Sequence, residues 1–183
     1  MVWQQIRFVR DRKRMHAAYH AGDWQGFYSA VLAASAALEG LLFVALSVNV
    51  RQIMCHPAHA ARAREVLGQL LSLLILAVLV LVPGQDRRVV GAELIAWGLV
   101  LIGASIRNQG RTVSRLPVEQ RLAWIGRDMI FNIGTLLIPV AGITLIVGRL
   151  GGLYWLVPTV LIYLFWSLMN AWILVVQTAE SQD

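Results

Sequence analysis

Charge is scarce in this sequence. Asp, Glu, Lys and Arg make up 14% of its 183 residues, against about 25% in an ordinary soluble domain. With 58% hydrophobic residues and a mean hydropathy of +0.64, that shortage excludes a soluble domain for most of the chain. One membrane domain is expected instead. Lysine is nearly missing, since Lys13 is the only one, so the formal charge of +6 is carried by arginine. In so apolar a chain this excess reads as topology signal and contact with anionic lipid, not nucleic-acid binding. Cys55 is the single cysteine, which excludes an internal disulfide framework.

Catalytic signatures are missing too. There is no H-E-x-x-H, no G-x-S-x-G and no G-x-G-x-x-G, so no enzyme is expected. His16 and His20 stand four apart, and Cys55, His56 and His59 fall close together. A membrane span between the two groups puts them on opposite faces, and each alone supplies too few ligands for a closed site. Neither a metal nor a cofactor is expected. No lipidation motif is visible at either end, and the first apolar segment is too long for the core of a signal peptide.

What the chain has is long apolar runs. The segment Gly26–Asn49, GFYSAVLAASAALEGLLFVALSVN, holds 24 residues, enough to cross a hydrocarbon core of roughly 30 Å with some tilt. Further helices are expected near residues 63–82, 89–106, 125–147 and 153–177, separated by Pro83-Gly84, by arginine-bearing loops at 50–63 and 107–124, and by Gly151-Gly152. The expected fold is therefore an all-α integral membrane bundle of five transmembrane helices over residues 26–178. Residues 1–25 form a basic preamble. Its Arg10, Arg12, Lys13 and Arg14 read as an interfacial segment on lipid headgroups, or as a solvated tail.

Glu39 is the sharpest residue. A carboxylate near mid-span costs from about 2.5 kcal/mol upward. It therefore reads as a group lining or gating an ion or proton path, or as a protonated acid bonded to a neighbouring helix. Ser35 lies one turn earlier on the same face and is placed to share a hydrogen bond with it. Ala33, Ala37 and Gly40 belong to a run of small residues at helical spacing, which predicts close backbone contact with neighbours in the bundle or in an oligomer. Asp128, Asn132, Thr135, Pro139 and Gly142 fall on one helical face, as do Thr159, Tyr163, Trp166 and Asn170. Asp128, Asn132 and Asn170 are expected as supporting polar sites on the same path. Alternatively they pair locally and tie helices together.

The run AALEGLLFVALSVNVRQI, the helix start ARAREVLGQLLSLL and the turn LVPGQ resemble a family of small, uncharacterised bacterial multi-pass membrane proteins. Some of its members are labelled as modulators of the FtsH membrane protease. The resemblance covers roughly residues 24–110 and implies a multi-pass architecture in a bacterial plasma membrane. It assigns no role to Glu39. Orientation is not encoded clearly, because an inside N-terminus leaves eight basic residues on each side. The functional expectation is an oligomeric channel or transporter for ions or protons. The alternative is a non-transporting regulatory or scaffold subunit that binds another membrane protein, such as a protease.

Overall fold

Apolar residues with few helix breakers leave helix as the economical way to satisfy the backbone. The computed structural model describes the backbone of residues 20–48, 50–55, 57–113 and 118–180, and it is all-helical there, with no strand. Five long helices and one short one follow in order: α1 (Gln25–Val48), α2 (Val50–Cys55), α3 (Pro57–Leu81), α4 (Arg87–Val113), α5 (Val118–Val147) and α6 (Leu156–Glu180). Short 3-10 turns, Ala21–Trp24 and Gly152–Trp155, lead into α1 and α6. Among the described residues, four stretches are long and apolar enough to cross a membrane: Gly22–Val48, Arg62–Leu81, Arg87–Asn108 and Gly152–Ile173. Within α5, the shorter segment Phe131–Val147 is apolar. The outer surface fits that medium, since Leu41, Phe43, Leu99, Phe165 and Trp172 are all exposed on it.

In two expected loops the described residues are helical instead. The 50–63 segment contains α2 and the opening turns of α3, and Pro57 is the first residue of α3. Proline fits there because the first turn has no use for its missing N–H. The 107–124 segment is helical up to Val113 and again from Val118. Arg, Gln and Leu are strong helix formers, so polarity alone did not end these helices. At about 1.5 Å per residue, α4 and α5 exceed 40 Å and outrun a hydrocarbon core. The basic N-terminal residues Arg10, Arg12, Lys13 and Arg14 lie outside the described residues, and so does the side chain of Asp128.

The helices pack in the spatial order α1, α3, α6, α5, α4, and α4 touches α3 only slightly. One core runs through the bundle, built from Tyr28 and Val31, Leu73, Leu76 and Val80, Leu94, Ile138 and Leu145, and Leu156, Val160 and Tyr163. A smaller cluster joins Leu42 of α1 to Val66 and Leu70 of α3, with Leu38 and Ala171 against it. The α4–α5 contact is the closest. A Cβ built on Gly142 would lie 2.5 Å from the carbonyl oxygen of Gly91, and one on Gly98 would lie 2.6 Å from Cδ of Pro139. Only glycine lets these two backbones meet.

Hydroxyls tie α5 to α6. Thr159 Oγ1 donates to the Gly134 carbonyl at 2.9 Å, and the Thr135 and Tyr163 hydroxyls share a 2.8 Å bond. Phe131 stacks on the Tyr163 ring, with centroids 4.7 Å apart. Thr135 keeps a second bond, to the Phe131 carbonyl at 3.1 Å. Tyr163→Phe is thus expected to cost only about 0.5–1.5 kcal/mol. Unfolding of the detergent-solubilised variant checks this, and a larger loss would mean the hydroxyl holds more than Thr135.

Candidate functional site

Glu39 lies four residues, or about 6 Å of rise, past the midpoint of the Gly22–Val48 span. The two leucines beside it in sequence turn, Leu38 and Leu42, pack onto Val66 and Leu70 of α3. That leaves Glu39 on the flank of α1, half-buried between the packed face and the outer one. No described residue bonds its carboxylate. The expected Ser35–Glu39 hydrogen bond is not formed: Ser35 is fully buried and its hydroxyl has no partner. Ser35 points into the bundle while Glu39, about 40° further round the helix, sits at the edge.

The small residues of α1 face outward. Ser29, Ala30, Ala33, Ala36, Ala37 and Gly40 are exposed, and a Cβ on Gly26 or Gly40 would meet nothing within 4 Å. Of the two expected settings for Ala33, Ala37 and Gly40, the bundle of one chain leaves all three exposed, and contact in an oligomer is the other. Within one chain, α1 is held by its larger residues Tyr28, Val31 and Leu42. Size alone does not set the buried side, since Ser35 is buried there while Leu41 and Phe43 of the same helix are exposed. The small face is left for an occupant from outside the chain, or for lipid.

The polar stripe of α5 is divided between two neighbours. Asn132 Oδ1 accepts from Ser105 of α4 at 2.8 Å, Thr135 turns to Tyr163 of α6, and Pro139 and Gly142 meet Gly98 and Gly91 of α4. Asn170, almost fully buried, donates back to the Trp166 carbonyl at 2.9 Å. Asn132 and Asn170 thus spend their amides on helix-to-helix and local bonds, and no bond links either to Glu39. The side chain of Asp128 is outside the described residues.

Other polar groups drew little attention in the sequence. Gln69 is buried in α3, donates weakly to Glu65 at 3.4 Å, and leaves its Oε1 without a partner. By spacing Glu65, Gln69 and Ser72 share one face of α3, a pattern that groups them without telling that Gln69 is buried. Glu93 bonds to Gln85 at 3.0 Å. Periodicity could not have found that pair, because Gln85 lies in the turn before α4 and belongs to no helical face. Compared with protein families, with curated proteins and with solved structures, the chain matches none of them.

Proposed function

We propose that the protein is a subunit of an oligomeric membrane channel or transporter for ions or protons, with Glu39 at the seam between copies. The observation that carries this reading is Glu39 itself: a half-buried carboxylate, near mid-span, that no described residue bonds. A charge at that depth needs water, an ion or a partner. Within one chain no described residue answers it, since Asn132, Thr135, Thr159 and Asn170 bond one another's helices, α4 or their own backbone. A neighbouring copy seated on the edge of that small face where Ala36, one turn before Glu39, is exposed would bring a second Glu39 near the first and exclude lipid from both. In this reading all five long helices cross a bacterial plasma membrane, and Arg10, Arg12, Lys13 and Arg14 hold anionic headgroups. The family resemblance over residues 24–110 supports the same location.

The same outward face favours a second reading, in which α1 docks on another membrane protein and nothing is transported. Small residues at helical spacing suit either partner. Purified protein in liposomes separates the two. Proton or monovalent-ion flux above that of empty vesicles supports conduction. Intact oligomers with no flux for any ion leave the scaffold reading.

A further inference from the structure

Two turns distant in sequence meet at one end of the bundle: the 82–86 turn before α4 and the 148–151 turn after α5. The Arg87 guanidinium lies against Gly148, where a built Cβ would stand 3.2 Å from its Cζ and 3.4 Å from its Nη2. Arg149 is the next residue, so its Cα lies within about 9 Å of that guanidinium. Arg88 follows Arg87 at the start of α4, and all three arginines are exposed. The dipole of α5 accounts for one cation at its C-terminus. It does not account for a second and a third. Asp86, whose carboxylate accepts from the Arg88 backbone N–H at 3.5 Å, offsets one of the three charges and leaves an excess. Glu93 is bonded to Gln85 instead.

This end stands at a membrane boundary. Two of the stretches able to cross begin here, at Arg87 and at Gly152. The exposed rings of Tyr154 and Trp155 suit the headgroup level. An apolar track leads away from the arginines along α5. Val147, Ile143, Val140 and Leu136 are exposed and, at steps of four, three and four residues, share one helical face about 16 Å long. We propose that Arg87 and Arg149 bind the phosphate of an anionic phospholipid whose acyl chain lies along that face. Arginine holds phosphate oxygens in pairs through its planar N–H fork. A free phosphate would make no use of the track. A zwitterionic headgroup would bring its own cation to an end that is already positive. The proposal rests on insertion of these helices and not on what Glu39 does.

Native mass spectrometry of the micellar protein, titrated with phosphatidylglycerol or with phosphatidylcholine of matched chains, tests this. The wild type should bind its first phosphatidylglycerol at least about tenfold more tightly than phosphatidylcholine. Arg87→Gln with Arg149→Gln should abolish that preference. Arg64→Gln with Arg107→Gln removes the same charge from the opposite end and should keep it. Because Arg87 also packs on the end of α5, Arg149→Gln is measured alone as well, and it should weaken phosphatidylglycerol binding about fivefold. Millimolar inorganic phosphate should not displace the lipid. The proposal is overturned by no preference in the wild type, by equal losses in the two double variants, or by an unchanged Arg149→Gln. Displacement by inorganic phosphate overturns it too, since the site would then take the free ion.

Discussion

Gly142→Ala should destabilise the protein by about 2 kcal/mol, more than any other single added methyl group in the described helices. The new carbon would lie 2.5 Å from the Gly91 carbonyl oxygen, 2.8 Å from Ile95 Cγ1 and 3.1 Å from the Ile95 backbone nitrogen. Two of those three atoms are backbone and cannot swing aside. Relief requires α4 to move off α5, which loosens the Gly98–Pro139 approach and the Ser105–Asn132 bond together. Against this, alanine gains at most about 1 kcal/mol of helix propensity. The clash wins. At Gly103, on the outer side of α4, a Cβ meets nothing within 4 Å. Gly103→Ala is therefore expected to be neutral or stabilising by up to about 1 kcal/mol. Unfolding in mixed detergent micelles reads both, and the same substitution should carry opposite signs at the two sites. Equal effects would mean that α4 and α5 are not locked through glycine.

Glu39→Gln should lower cation or proton flux at least about tenfold while leaving folding and assembly intact. A unit charge about 4 Å from a passing cation contributes up to roughly 4 kcal/mol at an effective dielectric of 20. The glutamine dipole recovers part of that. Even a net loss of about 1.4 kcal/mol at the barrier is a factor of ten. The isosteric amide makes no new clash, and Glu39 has no described partner to lose, so matched size-exclusion profiles are expected. Flux unchanged by the substitution in well-assembled protein would remove Glu39 from the path.

Legibility in the sequence followed how local each signal is. The long apolar runs announced the helices, because membrane length and hydrophobicity are properties of one segment. Helix ends were harder. Pro57 falls inside an expected loop yet opens a helix, and the Arg- and Gln-rich stretch up to Val113 reads as a loop though its residues favour helix. Partners were harder still. Spacing placed Asn132, Thr135, Pro139 and Gly142 on one face, but a face about 100° wide can meet two neighbours, and α5 meets α4 and α6. Small residues raise the same problem. Ala33 and Ala37 on α1, and Gly91 and Gly98 on α4, all permit close approach, yet only the second pair is used within the chain. Smallness tells where two helices can touch. The fit of the larger residues decides where one chain does.

The function therefore turns on what covers the outward face of α1 beside Glu39. Its most direct test is disulfide trapping of Ala36→Cys, one turn before Glu39 and on the same side of α1, in native membranes, with Cys55 replaced by serine so that no exposed native thiol competes. A bridge forms only when two Cβ atoms come within about 4.5 Å, so it reports contact between two α1 helices and not mere proximity. The control is Leu99→Cys, on the exposed side of α4. Rapid, near-complete dimers from position 36 and none from position 99 are the predicted result. Monomers at position 36 in folded, membrane-inserted protein, or equal trapping at both positions, would contradict a seam at Glu39.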